Sequence, residues 1–249
     1  MSQSLPLPQV KPGVFFAPVA GEGVLLDITA NRYVGLTALS ARLWSAIGSG
    51  SSYENLVQAV AQSEAPSEVG PEKIVQQQLK LWNEAGLLVQ DHAAVAFDLP
   101  APRMALPRAS DSILPAEAAR ARFSLRCVVR QVWNSIWVRR SLRRSGLSAT
   151  IRAIQQIPTE HSEKPATSSL KVMLRAYWWA RKPVSQGNPD CLSRSLALLR
   201  TLRQAGVDAS ICIGVRKCPF AAHAWVEAAN LVLNDKPENV DQYFVIARF

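Results

Sequence analysis

The sequence predicts a two-domain α+β protein, and three observations carry that expectation. Residues 14–37 hold three short strand signals separated by tight-turn pairs. Helical periodicities follow in two blocks, one on each side of a proline-rich stretch. Three further strand-like segments stand near the end of the chain. With 249 residues, 48% of them hydrophobic, and seven tryptophans, the chain has apolar material for two modest cores.

The first strands are "VFFAPVA", "GVLLDIT" and "RYVGLT", and the "GE" and "AN" pairs between them suit hairpin turns. Three helices follow. "ALSARLWSAI" carries Leu39, Leu43, Trp44 and Ile47; "SYENLVQAVAQ" opens on a serine cap; "PEKIVQQQLKLWNEAGLL" starts at Pro71 and stops near Gly86. Three strands then three helices describe a winged-helix-like module over residues 1–92. Residues 93–119, with "DLPAPRMALPRASDSILP", read as a linker, and 120–249 as the second domain.

That domain opens with a basic amphipathic helix, residues 120–144. Leu125, Val128, Val129, Val132, Trp133 and Ile136 share one face, and Arg122, Arg126 and Arg130 recur on another. The plain expectation is a scaffold helix with the apolar face, and Cys127, in the core and arginines in water. The alternative is a helix that docks on a membrane surface or a partner. A second helix spans "SSLKVMLRAYWWARK". A third, "NPDCLSRSLALLRTLRQAG", has Asn188 as N-cap, Pro189 in the first helical position, Leu192, Leu196, Leu199 and Leu202 along one face, and Gly206 as its stop. The strands "DASICIGVR", "AAHAWVEA" and "LVLND" follow.

Net charge of +9 makes an acidic partner conceivable. DNA is disfavoured, because the third helix of the first module offsets two lysines with two glutamates. Four cysteines without a CxxC pair argue against a disulfide scaffold and for reduced thiols. With no signal-peptide pattern and no apolar run near ~20 residues, the expectation is a cytoplasmic protein.

Chemistry concentrates at Cys191, His223 and Asp235. Cys191 stands in the first turn of its helix, where unpaired N–H groups and the helix dipole favour a thiolate. A hairpin turning near Ala229 and Asn230 sets His223 opposite residue 235 or 236, so Asp235 can orient the imidazole and stabilise its protonated form. Helix cysteine, strand histidine and hairpin acid are the chain order of cysteine–histidine–acid enzymes. Gln186 and Asn188 are candidate oxyanion donors beside the first-turn N–H groups. Zinc on Cys191, Cys212, Cys218 and His223 is the rival use of these atoms; it lacks a knuckle spacing, and Cys212 alternates among strand apolars.

The run "CLSRSLALLRTLRQAGVDASICIGVRKCPFAAHAWVEAANLVLND" resembles the C-terminal domain of lasso peptide biosynthesis B proteins, transglutaminase-like cysteine proteases with a papain-like fold. The resemblance implies a leader peptidase: Cys191 the nucleophile, His223 the base, Asp235 the acid, and no metal or other cofactor. The first module is similar to the PqqD-like leader recognition element of the same family. By that likeness a precursor's leader adds a strand beside residues 32–37 and packs against residues 71–85, with Tyr33, Val34, Val75, Leu79 and Trp82 as candidate contacts and core packing the alternative for each. The implied partners are the precursor peptide and an asparagine-synthetase-like cyclase; association with a membrane or an exporter stays open. A transamidase using the same triad and a non-catalytic leader-binding escort are the competing readings.

Overall fold

The computed structural model describes residues 7–63, 69–89, 109, 111–113, 115–159, 167–181 and 191–249. The chain divides into two compact units, residues 1–98 and 99–249.

The first unit runs β1 (Gln9–Val10), β2 (Val14–Val19), β3 (Glu22–Asp27), β4 (Arg32–Leu36), α1 (Ala38–Gly48), α2 (Tyr53–Ala61), α3 (Pro71–Glu84) and β5 (Leu88–Val89). β2, β3 and β4 form an antiparallel meander. The first turn is Ala20–Gly21, both at positive φ, as the primed two-residue hairpin requires. The second is organised by the buried Asp27, which accepts from Thr29 N–H (3.1 Å), Thr29 Oγ1 (2.6 Å) and Ala30 N–H (3.1 Å) and pairs with Lys11 and Arg32. Burial raises its pKa, but these hydrogen bonds and Lys11 outweigh that and hold the carboxyl below the ordinary range.

Thr37 and Ser52 cap α1 and α2 through their hydroxyls, each such cap contributing about 1 kcal/mol, and Pro71 opens α3. The helices close over the sheet on Leu25, Leu43, Trp44, Leu56, Val75, Trp82 and Leu87, with the Trp44 and Trp82 rings edge to face at 5.0 Å. A short antiparallel pairing of β1 with β5, not anticipated from sequence, ties the two ends of the unit.

The second unit runs β6 (Asp111–Ser112), α4 (Pro115–Ala119), α5 (Leu125–Gln155), α6 (Thr167–Arg181), α7 (Cys191–Arg203), β7 (Ser210–Arg216), β8 (Ala221–Ala228), β9 (Leu231–Val232), α8 (Pro237–Val240) and β10 (Phe244–Arg248). β6 and α4 fall inside the stretch read as linker; β6 lies parallel to β9 as the last strand of a five-stranded sheet ordered β10-β7-β8-β9-β6. α7 is buried almost all round, with Leu196, Ala197, Leu198, Leu199 and Leu202 inaccessible, because it packs against both β8 and α5. β10, absent from the sequence expectation, pairs with β7 and brings Arg248 beside Glu227.

α5 corrects the expectation most sharply. The helix is interrupted at Gly146 (φ 78°, a left-handed value glycine adopts without strain). Its apolar stripe faces outward: Leu125 is 66% exposed, Val129 61%, Trp133 67% and Ile136 45%, and only Val128 of the expected face is buried. The inward face is mixed, with Gln131 and Asn134 buried between Val128 and Val138. Asn134 Nδ2 donates to Thr201 Oγ1 and Gln204 Oε1 (both 2.9 Å), Thr201 Oγ1 donates to Gln131 Oε1 (2.7 Å), and Arg200 donates to Asn134 Oδ1. Buried amides are tolerated here because α7 offers them partners. Cys127 is half-buried rather than part of the core.

Candidate active site

The site is built at the start of α7 and the end of the β8–β9 hairpin. Cys191 is the first described residue of α7. Asn188, Gln186 and Pro189 lie outside the described residues, so the cap and both candidate oxyanion side chains stay as sequence expectations.

The hairpin behaves as the spacing anticipates. Ala229 and Asn230 form a two-residue turn with φ of 50° and 62°, and Glu227 pairs with Val232 and Ala228 with Leu231. The ladder then stops, and the chain beyond Leu233 is held by side chains. His223 Nε2 and Asp235 Oδ2 lie 2.5 Å apart. Asp235 Oδ1 accepts from Lys236 N–H (2.8 Å) and Asn239 Nδ2 (2.9 Å), which fixes the carboxylate from the far side. Cys191 is a second hydrogen-bond partner of His223, so the three side chains predicted from sequence come together.

Electrostatics follows from those contacts. Burial disfavours the imidazolium, but Asp235 and then Cys191, by hydrogen bond and charge, outweigh it and push the His223 pKa up to about 9. Asp235 is raised by burial and lowered by His223, Asn239 and the Lys236 N–H, with a net shift below the ordinary carboxylate range. At neutral pH the site therefore holds an imidazolium against the Asp235 carboxylate, and an imidazolium beside a cysteine is the setting that favours its thiolate.

Two further sets of residues escaped the sequence reading. The first links the Cys191 helix to the His223 strand. Ser195, one turn after Cys191, donates from Oγ to the Ala224 carbonyl (2.8 Å) and accepts from Asn234 Nδ2 (2.8 Å), while Asn234 Oδ1 accepts from Val226 N–H (2.8 Å). The second backs the imidazole. Trp225 stacks 6.0 Å from His223 at 23°, and Tyr243 lies 5.2 Å away. Trp225 Nε1 donates to the buried Glu227, itself paired to Arg248 at 2.8 Å. The Trp225 ring requires Gly214: a Cβ there would lie 2.8 Å from it. The sequence signal for the second set was alternation along "AHAWVE", which places His223, Trp225 and Glu227 on one strand face.

A cavity of about 520 Å³ opens over the triad, lined also by Tyr177, Trp178, Arg194, Lys236 and Asn239. That volume and its mixed lining suit an extended peptide segment. Cys212 is buried across the ladder from Trp225, where burial and the Glu227 charge push its thiol up to about 12, and Cys218 is exposed. Among the described residues no three His, Cys, Asp or Glu side chains are grouped to hold a metal.

The first unit offers a separate surface. β4 is an outer strand of its meander, paired among the described residues to β3 alone. Of the five candidates there, Tyr33 is exposed and Val34 and Leu79 are half-buried. Val75 and Trp82, 1% and 3% exposed, are core residues, a correction forced by the apolar stripe of α3 turning inward onto Trp44.

Comparison with known proteins places these features. Residues 132–248 match the model of the transglutaminase-like superfamily, so the second unit carries a transglutaminase-like domain in an α+β chain. Over 58 residues the chain is 48% identical to the microcin J25-processing protein McjB of Escherichia coli; the match covers 23% of this chain and 28% of that protein's length. A solved structure titled TbiB1 in complex with the TbiA(beta) leader peptide is similar at 26% identity, over 32% of this chain and 93% of that one, with a TM-score of 0.30. The resemblance to lasso peptide biosynthesis B proteins is supported by the superfamily match and the likeness to the microcin-processing protein.

Proposed function

We propose that this chain, with its transglutaminase-like domain and its likeness to a microcin-processing protein, is the leader peptidase of a lasso peptide pathway: a cysteine endopeptidase that binds the precursor's leader and hydrolyses the leader–core bond. The observation that carries the reading is the 2.5 Å His223–Asp235 contact with Cys191 as the other partner of the imidazole, all facing one peptide-sized cavity.

In this reading the Cys191 thiolate attacks the carbonyl carbon of the last leader residue. First-turn N–H groups of α7, with Gln186 or Asn188 as further donors, receive the oxyanion. His223 passes its proton to the departing core amine, leaving a thioester between Cys191 and the leader. Water, deprotonated by the now neutral His223, attacks that thioester; the leader leaves as a carboxylic acid and the thiolate returns. Asp235 holds the ring orientation throughout. The leader docks along the open edge of β4, where main-chain pairing gives affinity and Tyr33, Val34 and Leu79 flank the strand. The free core amine then passes to an ATP-dependent cyclase, and the protein works in the cytoplasm.

The test is the intact mass of a candidate precursor after incubation with the wild-type protein and with Cys191→Ala. Scission of one bond with addition of water, by wild type alone, supports the proposal. A product lighter by ammonia assigns the triad to transamidation, and binding without scission by either protein reduces the chain to an escort.

A further inference from the structure

The outward face of α5 is not explained by the Cys191 site. Over residues 125–136 it presents Leu125, Val129, Trp133 and Ile136 to solvent, an apolar stripe about 16 Å long at 1.5 Å per residue. Solvent-facing Arg126 stands beside the stripe, and exposed Arg139, Arg140, Arg143 and Arg144 continue it along the helix. From residue 120 to residue 144 there are eight arginines and no acidic side chain. Isolated exposed apolar residues are ordinary; four in register, on a helix that buries Gln131 and Asn134 instead, are not.

We infer that this face docks on an anionic lipid bilayer. Charge narrows the possible occupants. A second copy of the chain would bring the same arginine field against itself. An acidic protein partner would satisfy the arginines as well, and the experiment below separates it from lipid. A face of one sign with a tryptophan at its centre recognises charge density and an apolar boundary layer, the two properties of an anionic headgroup region. Beside Trp133 a groove of about 540 Å³ is lined by Trp133, Ile136, Trp137, Arg140, Arg144 and Ala149, which combines an apolar wall with guanidinium groups as a phosphodiester and its first acyl carbons require. Among the described residues no helix is long and apolar enough to cross a membrane, so the contact is with the surface.

The experiment is vesicle flotation of the full chain, with vesicles of phosphatidylcholine alone and of equal parts phosphatidylcholine and phosphatidylglycerol, at ~0.1 M and ~0.5 M salt. The expected result is flotation with the anionic vesicles only, weakened by salt. Arg140→Glu/Arg143→Glu/Arg144→Glu lowers partition about a hundredfold and Val129→Ser/Trp133→Ser roughly tenfold. All five residues are solvent-facing, and an unchanged thermal midpoint in each variant separates lost docking from lost fold. Absence of flotation, equal flotation with neutral vesicles, or wild-type partition by both variants overturns the inference. Binding of a synthetic acidic amphipathic peptide without vesicle binding also overturns it and makes the face a protein-docking surface. The readout does not depend on peptide cleavage.

Discussion

Replacing Asn234 by alanine tests whether the nucleophile and its base are held together by side chains rather than by the sheet. Asn234 Oδ1 is the acceptor for the N–H of Val226, a fully buried residue, and Nδ2 reaches Ser195 Oγ on the nucleophile's helix. The substitution strands a buried N–H, at about 1–3 kcal/mol, and deletes one neutral hydrogen bond, at about 1 kcal/mol. The expected loss is about 2–4 kcal/mol, which lowers the unfolding midpoint of a unit this size by about 4–16 °C. A second effect is positional. Ser195 then retains only its bond to the Ala224 carbonyl, and Cys191 loses part of its registry with His223. A shift approaching 1 Å lowers reactivity by about a hundredfold. The assay is thermal unfolding together with iodoacetamide alkylation of Cys191 across pH, in a Cys218→Ser background because Cys218 is exposed. Asn234→Asp, which keeps the acceptor, should recover most of the stability, and Ser195→Ala should be non-additive with Asn234→Ala by about 1 kcal/mol. A midpoint within 1 °C of wild type and an unchanged alkylation profile would refute the reasoning.

Other consequences are equally direct. The raised His223 pKa contributes stability that is complete below its unfolded value near 6.5 and lost as pH rises through about 9; the lowered Asp235 pKa contributes stability present above its unfolded value and lost in acid. The stability gap between wild type and Asp235→Asn should therefore be widest between about pH 4 and 6.5 and close above 9, as urea titrations at stepped pH will read. Gly214→Ala should cost about 1–3 kcal/mol and slow Cys191 alkylation, because the new Cβ displaces the Trp225 ring that backs His223; an unaltered midpoint contradicts this. Asp27→Ala should destabilise the first unit by about 2–3 kcal/mol through two stranded backbone N–H groups, visible in hydrogen exchange at Thr29 and Ala30.

The His223–Asp235 pairing was legible because a hairpin of countable length needs only short-range rules. Those rules left open whether Cys191 reaches the ring, which depends on how α7 packs against β8. The linkage of Ser195 to Asn234 depends on polar partners 39 residues apart, which no periodicity encodes. α5 misled for a related reason. Its hydrophobic pattern is real, but Gln131 and Asn134 find Thr201 and Gln204 about 70 residues on, and that complementarity decides which face turns inward. β10 was missed because so short a run as "FVIAR" gains its place only by long-range pairing with β7. In the first unit, edge and core positions along β4 and α3 share one composition, so Tyr33 and Trp82 could be told apart only by which side meets Trp44.

The Ala229–Asn230 turn has one more implication. Surface loops are ordinarily where a chain tolerates insertions, since closing a slightly longer loop costs little. Here the number of residues between strand and strand is a gauge. Asn234 and Asp235 follow within three residues of β9, so one added residue in the turn would offset both and offer His223 a different neighbour, with little change in the fold. For the His223–Asp235 contact, the length of this two-residue turn is the count that must be kept.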